Sequence, residues 1–451
     1  MEIASEFSIF ATATGYDDLS VEVVTEAKNR ILDLIGVALG GYGLDFSQMV
    51  MKYVIETGGK PEATVILAGG KYPACNAAFA NAVCSHALDL DDCHRFAGYH
   101  PGAPVIPSAL AACEMCGAST KELIAGVVIG YEISIRVAKA INPSHLRRGF
   151  HTTGTVGTFG AAAAAGKIMG LTTEEMRSAF GIAGHLGSGL IQFTMTKPMN
   201  PAKAAMCGLM SAIFARKGAK GASTIFEGKN GFLQAVSDEV HMDIFTQDLG
   251  KIYEISRTSY KLHACCRHIH GPIDAALRIC GQNGIRAADI SRVSVESYPV
   301  ALQICTKITQ PDDISTAKFS MPFSLALAIS KGDANPDKYS TVNIRDKEIQ
   351  DLATRIEVSS NRKWESLYPG KRGVTVTIFT TDGIAYSDSL DLAKGEPENP
   401  LSLEELFDKF HLNATRVLTD HKALLLREKI MNLENLSIEE VTEMIAGEGY
   451  S

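Results

Sequence analysis

Residues 155–171 read TVGTFGAAAAAGKIMGL and are almost entirely small or apolar. Five successive alanines and four glycines give this stretch little side-chain bulk, so neighbouring helices can approach its backbone closely. The stretch therefore predicts a buried helix at the centre of a helical core. Apolar residues recur at helical spacing in other segments before residue 266, namely Val24–Gly40, Asn76–Leu88, Pro107–Cys116, Lys121–Ala140 and Met199–Lys217.

The pattern changes after residue 266. Arg292–Val300 alternates polar and apolar side chains as a strand does, and Arg355–Ser359 and Val374–Thr380 are further strand candidates. Beyond residue 400 the chain turns helical again. We therefore predict a mainly α fold with an inserted α+β domain. Residues 1–266 and 398–451 form a large helical domain, and residues 267–397 form a smaller α/β lid domain.

Composition restricts the class of protein. The 451 residues are 46% hydrophobic and 21% charged, with a net charge of −8 and no basic stripe, which argues against nucleic acid as a partner. No apolar run is long enough to span a bilayer, and the N-terminal residues lack the pattern of a signal peptide. We therefore expect a cytoplasmic protein without a membrane partner. Ten cysteines among core-type residues predict reduced, buried thiols, and the single C-x-x-C, Cys113 to Cys116, is weak support for zinc.

Acidic and imidazole side chains crowd into residues 89–102. Asp89, Asp91 and Asp92 are followed by His94 and His100, and the flanking runs are apolar and rich in alanine. Carboxylates at this density repel one another and cost free energy to desolvate. We expect the cluster either to face a cleft and do chemistry or to hold a cation. The alternative is a helix end with aspartate caps and a hydrogen-bonded core histidine.

Four other segments carry groups that suit catalysis or anion binding. His151 lies among glycines at a predicted helix start, and helix N-termini favour anions. Lys197 and Lys203 flank a proline turn before a buried helix and suit a carboxylate. Residues 260–270, YKLHACCRHIH, lie at the predicted domain junction, where ligand clefts tend to form, and Ala317–Phe323 is a candidate rim of that cleft. For each histidine and lysine the alternative is a structural role.

Two kinds of chemistry fit these segments. One is a metal site, although the spacings match no known zinc motif. Its ligands would come from Cys265, Cys266, His263, His268 and His270 with Asp91, Asp92, His94 and His100. The other is a metal-free site, in which acids and histidines move protons while lysines and an arginine neutralise an anionic substrate. The glycine-rich runs at 154–160 and 184–189 lack the dinucleotide-binding and Walker patterns. We therefore expect no cofactor and no resident metal.

The order of short motifs resembles the MmgE/PrpD family along nearly the whole chain. The motifs are Ile31–Gly36, His86–Asp92, His100-Pro101-Gly102, Gly130-Tyr131-Glu132, Gly149–Leu171, Thr196–Gly208 and Ala317–Phe323. This family includes 2-methylcitrate dehydratase, cis-aconitate decarboxylase and iminodisuccinate epimerase. The resemblance implies a large helical domain with a smaller α/β lid, a homodimer, and catalysis without a metal or organic cofactor.

The resemblance also implies a set of site residues. Carried over by position, they are Asp89, Cys93, His100, His151, Lys197 and Lys261. A threonine is usual at the position of Cys93. Asn200 and Phe323 stand where the decarboxylase branch has a histidine and a tyrosine, which removes hydrogen-bonding partners that set substrate choice. The patterns at residues 266–270 and 91–95 look closer to the epimerase-like bacterial branch.

Residues and resemblance together predict an enzyme that acts on a small di- or tricarboxylate by proton transfer beside a carboxylate. We expect His100 and His151 to be the acid and base and Asp89 to orient a histidine or lysine. Lys197, Lys261 and Arg267 would neutralise the developing enediolate. The substrate-binding candidates are Asp92, Cys93, His94, Lys203, His263, Cys266, Arg267 and Phe323. Dehydration, decarboxylation and epimerisation stay open because all three use the same groups; a non-catalytic carboxylate-binding relative is the alternative from another class.

Overall fold

The computed structural model describes residues 2–192 and 194–447. Its helices are, in chain order, α1 (Ile3–Ala13), α2 (Val21–Gly41), α3 (Asp45–Thr57), α4 (Ala74–Ala87), α5 (Gly102–Cys116), α6 (Thr120–Ile141), α7 (Ser144–Arg147), α8 (Thr152–Thr155), α9 (Gly157–Ile168), α10 (Thr173–Leu186), α11 (Met199–Arg216), α12 (Phe232–Val236), α13 (Arg267–Asn283), α14 (Pro299–Cys305), α15 (Ile314–Ala317), α16 (Met321–Lys331), α17 (Thr341–Ile344), α18 (Lys347–Thr354), α19 (Arg362–Leu367), α20 (Leu403–Ala414), α21 (Asp420–Met431) and α22 (Glu439–Ile445). The strands are β1 (Ala63–Val65), β2 (Gly70–Tyr72), β3 (Ile290–Ser297), β4 (Ile356–Ser360), β5 (Val374–Thr380) and β6 (Ala385–Leu390). The prediction of a mainly α protein with a smaller α/β part is confirmed.

The chain divides into two compact units. Unit 1 takes its residues from Met1–Ala87, Asp91–Thr258 and Ser402–Ser451, and unit 2 from Leu88–Leu90 and Ser259–Leu401. Unit 1 is therefore built from both ends of the chain. The chain also passes into unit 2 for three residues within the acidic cluster, so Asp89 belongs to unit 2 whereas Asp91 belongs to unit 1.

Helix α9 forms the centre of unit 1 and packs against α5, α6, α10 and α11. Glycines permit the close approach: a Cβ atom on Gly130 of α6 would lie 2.8 Å from the carbonyl oxygen of Gly160 in α9. A Cβ atom on Gly208 of α11 would lie 2.7 Å from the carbonyl oxygen of Thr158. The buried central helix predicted from the small residues is confirmed, although it begins with the separate short helix α8 and ends at Ile168.

Unit 2 contains a four-stranded sheet in the order β4-β3-β5-β6. β3 pairs with β4 in parallel and with β5 in antiparallel fashion, and β5 and β6 form a hairpin. Alternate residues of β5 are buried, so one face of the sheet packs on the core, where α13 contacts β5 and β6. The strand predicted to reach Val300 ends at Ser297 instead, because Pro299 opens helix α14 at the position where a helix needs no N–H donor.

Most of the cysteines are buried as predicted, but three are not fully buried. All ten lie in the described segments and carry free thiols, but Cys116 is exposed and Cys75 and Cys280 are half-buried. The prediction of buried thiols is wrong for Cys116, because the last turn of α5 ends at the surface, and it holds only in part for Cys75 in α4 and Cys280 in α13. In the same segments, no single helix combines the length and apolarity that crossing a membrane requires; Val21–Gly41 and Asp45–Thr57 meet that test only as a pair bent by 92°.

Candidate active site

The candidate site of unit 1 lies at the end of α4 and in the loop that leads to α5. His86 is in the last turn of α4, and His100 precedes the start of α5 at Gly102 by two residues. The loop turns tightly because the backbone N–H of His94 donates to the carbonyl of Tyr99 at 2.8 Å. These two helix ends and the loop bring imidazoles and carboxylates together.

Asp91 is the centre of this cluster. Its Oδ2 atom lies 2.8 Å from Nδ1 of His86 and 3.5 Å from Nδ1 of His100. The two imidazole rings meet edge to face, with centroids 5.0 Å apart. Asp91 and His86 are fully buried, whereas the side chain of His100 is 16% exposed. His100 is therefore the member of this group that solvent or a small molecule can reach.

His151 completes the cluster from another part of unit 1. It precedes helix α8, and its backbone N–H donates to the carbonyl of Gly189 at 3.0 Å. Its ring centroid lies 6.4 Å from that of His86. His100 and His151, which the sequence predicted as acid and base, therefore both neighbour His86.

Asp92 holds the loop in place. Its carboxylate accepts hydrogen bonds from the hydroxyl of Tyr131 at 2.7 Å and from the backbone N–H of Gly102 at 3.0 Å. Its carbonyl oxygen lies 2.8 Å from Nδ1 of His100. Burial raises the pKa of the Asp92 carboxyl to about 6, against the lowering effects of Arg30 and Tyr131. Both oxygens of this predicted substrate ligand are thus engaged by protein groups.

His94 has a separate carboxylate partner. Its Nε2 atom lies 3.1 Å from Oε2 of Glu254, and Glu254 also accepts from Lys139 at 2.6 Å. Burial opposes the charge of Glu254, but the hydrogen bonds and charges of His94 and Lys139 outweigh it and lower the pKa of Glu254 to about 2. His94 thus joins a buried ion-pair cluster, and neighbouring Cys93 is buried as well.

The two lysines before α11 differ in their surroundings. Lys203 donates to the carbonyl and hydroxyl of Ser188 and to the carbonyl of Leu186 at 3.4 Å. Burial lowers the pKa of Lys203. Lys197 is half-buried in the turn that precedes the helix. Lys203 therefore holds the 186–188 segment in place.

Unit 2 contains its own buried acid–base pair. Lys261 donates through Nζ to Oδ1 of Asp89 at 2.9 Å and to the Asp89 carbonyl at 2.7 Å. Lys318 donates to the carbonyl of Leu88 at 2.8 Å. Asp89 has a φ of +54°, in the left-handed region that non-glycine residues seldom adopt. Two lysines thus fix the 88–90 segment within unit 2, and Asp89 orients Lys261.

The other predicted residues of unit 2 lie close to the start of α13. A hydrogen bond from Cys305 lowers the pKa of the Cys266 thiol to about 7, although burial opposes this shift. Arg267 forms an ion pair with Glu396 at 3.0 Å, and His263 lies 2.7 Å from Asp274. Phe323 is completely buried in α16.

The metal alternative can be tested on these contacts. Among the residues that the structure describes, His86, Asp91 and His100 form the group whose ligand atoms are near enough to hold an ion, all within 4.8 Å. However, Nδ1 of His100 lies 2.8 Å from the Asp92 carbonyl oxygen. Nδ1 of His100 carries the proton that this carbonyl accepts, so an ion could be bound only through its Nε2 atom. His86 lies within hydrogen-bond distance of Asp91, and His100 of the Asp92 carbonyl.

The fold and this cluster define a mainly helical protein with a buried group of histidines and aspartates, and comparison with known proteins identifies its family. The MmgE/PrpD N-terminal domain model matches residues 5–244, and the MmgE/PrpD C-terminal domain model matches residues 263–435. The chain therefore belongs to the MmgE/PrpD family, as its motifs predicted.

Three similar proteins are named cis-aconitate decarboxylase. The protein of Aspergillus terreus is 26% identical, over 96% of this chain and 94% of that protein. That of Mus musculus is 24% identical over 94% of this chain and 89% of its own length. That of Homo sapiens is 25% identical over 97% and 93%. These comparisons support an enzyme of the MmgE/PrpD family.

Sequence reasoning gave no role to two residues at the centre of the cluster. His86 stood in a family motif without an assigned function, and Asp91 was placed in the acidic cluster and among the candidate metal ligands without a catalytic role of its own. Their spacing carried a usable signal, because His86 occupies the last turn of a predicted helix and Asp91 follows after five positions. Tyr131 stood in a family motif as well, but no local pattern predicts its contact with Asp92, which joins residues 39 positions apart.

Proposed function

We propose that this protein is a lyase or isomerase that acts on a small di- or tricarboxylate by moving a proton beside a carboxylate, without a metal or organic cofactor. The observation that carries the proposal is the contact of the buried Asp91 with His86 and His100 in unit 1, together with the His151 ring 6.4 Å from that of His86. Imidazoles near neutral pKa are the usual groups for proton transfer at physiological pH. The similar cis-aconitate decarboxylases support a tricarboxylate as the first substrate to examine.

The first step in this proposal is removal of a proton next to a substrate carboxylate. His100 or His151 accepts that proton, and the other residue delivers one to the substrate later. The resulting enediolate needs nearby cations, since water stabilises it poorly. Lys197 and Lys261 are the proposed counter-charges, with Asp89 orienting Lys261. Arg267 already neutralises Glu396 at 3.0 Å, so we propose a smaller part for it.

Two outcomes branch from this enediolate, and decarboxylation forms an enediolate by a different first step. Loss of hydroxide gives a dehydratase of the 2-methylcitrate type, and reprotonation on the opposite face gives an epimerase of the iminodisuccinate type. Decarboxylation of the cis-aconitate type reaches an enediolate without that proton removal: the electron pair of the breaking C–CO2 bond enters the conjugated system as carbon dioxide leaves, and a protonated His100 or His151 then delivers a proton to carbon. Asn200 and Phe323 replace a histidine and a tyrosine of the decarboxylase branch, so the substrate itself has to be tested.

The decisive experiment is proton NMR in heavy water with the purified full chain and four candidate substrates: 2-methylcitrate, citrate, cis-aconitate and iminodisuccinate. We expect deuterium to enter beside a carboxylate of one of them, with or without net product. The product identifies the branch. Binding without exchange or turnover for all four would favour the non-catalytic relative and contradict this proposal.

The absence of a metal requirement is tested in the same assay. Exhaustive dialysis against a chelator should leave the exchange rate unchanged. Loss of activity that returns on addition of zinc or iron would overturn the metal-free mechanism. A cytoplasmic location and a homodimeric state complete the proposal.

A further inference from the structure

One carboxylate oxygen of Asp91 lies close to two histidine rings in unit 1. Oδ2 of Asp91 lies 2.8 Å from Nδ1 of His86 and 3.5 Å from Nδ1 of His100. All three side chains come from one stretch of chain, the end of α4 and the loop before α5. The shorter contact shows that His86 donates its Nδ1 proton to Asp91 and holds that carboxylate in place.

The same nitrogen of His100 has a second acceptor. The backbone carbonyl oxygen of Asp92 lies 2.8 Å from Nδ1 of His100. A carbonyl oxygen can only accept a hydrogen bond, and an ionised carboxylate can only accept as well. Both groups that face Nδ1 therefore require a proton on it, and a neutral imidazole then has its lone pair on Nε2.

The backbone carbonyl is itself rigidly placed. The Asp92 carboxylate accepts from the Tyr131 hydroxyl at 2.7 Å and from the Gly102 N–H at 3.0 Å. These bonds tie the loop to helix α6 and to the first residue of α5. The acceptor for His100 is therefore held by two elements of the unit 1 core.

Charged groups around Asp91 come from two other elements. Asp33 of α2 and Lys409 of α20 form a buried ion pair at 2.6 Å, and both lie close enough to Asp91 to interact electrostatically with it. Arg30 of α2 acts in the same way on Asp92. Lys409 thus places a positive charge, and Asp33 a negative charge, near the Asp91 carboxylate.

We propose that Asp91 is a positioning residue that, together with the Asp92 carbonyl, fixes His100 in the tautomer protonated at Nδ1, so that Nε2 is the atom that accepts the substrate proton. The inference rests on the proposed function and assigns to Asp91 and His86 the orienting role that the sequence had given to Asp89. Asp89 belongs to unit 2, where it holds Lys261.

The first test reads the tautomer directly. Nitrogen NMR of the full chain labelled with ¹⁵N-histidine distinguishes a protonated from an unprotonated ring nitrogen, and the signals that disappear in His100→Asn assign His100. Near neutral pH we expect Nδ1 protonated and Nε2 unprotonated. A proton on Nε2 with Nδ1 unprotonated would overturn the proposal. This readout needs no substrate, so it separates failure of the inference from failure of the proposed function.

The second test uses variants in the assay that identifies the substrate. Asp91→Asn can present an amide N–H to an imidazole and stabilise the wrong tautomer. We expect its kcat to fall about 10²- to 10⁴-fold, as for loss of general-base catalysis, with KM changed by less than about threefold. His86→Asn keeps a donor near the position of Nδ1 and should retain far more kcat than His86→Ala.

Glu114→Gln is the matched control for loss of a buried carboxylate. Glu114 accepts hydrogen bonds from Thr64 and Thr442 in unit 1 and pairs with Lys71 at 3.1 Å, and it belongs to no part of the proposed site. It should keep kcat and KM. If Asp91→Asn lost no more kcat than this control, or if His86→Asn and His86→Ala were equally impaired, a positioning role would be refuted.

Discussion

The hydroxyl of Tyr131 donates a hydrogen bond to the buried Asp92 carboxylate at 2.7 Å, across 39 positions of sequence. Asp92 in turn presents the carbonyl oxygen that His100 faces. Tyr131 therefore stabilises a charged group that the protein interior would otherwise disfavour. The contribution of this hydrogen bond to the free energy of unfolding should therefore depend on pH.

We predict that Tyr131→Phe destabilises the protein more at pH 8 than at pH 4. The folded pKa of Asp92 is about 6, raised from 3.8, so the stability linked to its protonation is present below about pH 4 and is lost as the pH rises through 6. Loss of the Tyr131 bond raises this pKa further and penalises the ionised form. We expect a cost of about 1.5–3 kcal/mol at pH 8.

Chemical denaturation at both pH values measures this difference in the free energy of unfolding. Tyr72→Phe is the control, because the Tyr72 hydroxyl donates to a backbone carbonyl, that of Ala68 at 3.3 Å, and the bond is therefore to an uncharged acceptor. Its cost should be smaller, about 0.5–1.5 kcal/mol, and equal at both pH values. Equal pH dependence in the two variants would contradict the prediction.

Gly102→Ala should disrupt the same contact by steric overlap. A Cβ atom there would lie 2.7 Å from the Tyr131 hydroxyl and 2.9 Å from Oδ1 of Asp92. We expect a loss of about 1–3 kcal/mol, as for overpacking of a core, together with reduced kcat. Gly43→Ala, where a Cβ atom meets nothing within 4 Å, should stay within about 0.5 kcal/mol of the wild type in a thermal melt. Similar melting temperatures for both variants would show that the site tolerates the extra methyl group.

We predict that ionised Glu254 stabilises the folded protein near neutral pH and that this contribution to the free energy of unfolding is lost in acid. Its pKa falls from 4.5 to about 2 on folding, so it contributes stability above pH 4.5 that is lost as the pH falls towards 2. The difference in unfolding free energy between the wild type and Glu254→Gln should therefore shrink between pH 7 and pH 3. Glu56→Gln, which removes an exposed pair with Lys52, should cost less than about 0.5 kcal/mol at pH 7. A difference for Glu254→Gln that does not vary with pH would argue against the ion-pair cluster.

His100→Asn and His151→Asn should each abolish most turnover while leaving the fold intact. Loss of a general acid or base costs about 10²- to 10⁴-fold in rate. Deuterium exchange and product formation measure the loss, and circular dichroism checks the fold. The exposed His241 serves as the control, because His241→Asn should keep wild-type rates. Full activity in either of the first two variants would remove that histidine from the proposed mechanism.

Light scattering, which measures the mass of the particle in solution, tests the proposed homodimer. The chain has a mass of 48.3 kDa, and we expect the particle in solution to have twice that mass. The measurement should be repeated at several concentrations, since a weak dimer dissociates on dilution. A monomer at every concentration would contradict the oligomeric state that the family resemblance implies.

Local patterns predicted much of the fold. The small residues of α9 predicted its burial because only small side chains let helices approach so closely. The alternation along β5 predicted a strand with one buried face. Strand β3 was placed too far along the chain, since its alternation continues to Pro299, where a helix begins instead. A short-range pattern of polar and apolar residues does not show at which residue a strand ends and the following helix begins.

The sequence by itself determined which chemical groups are available and in which family they belong: the histidines, the carboxylates, the lysines and the ordered motifs that contain them. The tertiary structure decided how these groups are paired. Asp91 pairs with His86, Asp89 with Lys261 across 172 positions, and His94 with Glu254 across 160. Adjacent acids thus have different partners, because a buried charge is stabilised by whichever groups the packing of distant segments brings within hydrogen-bond distance.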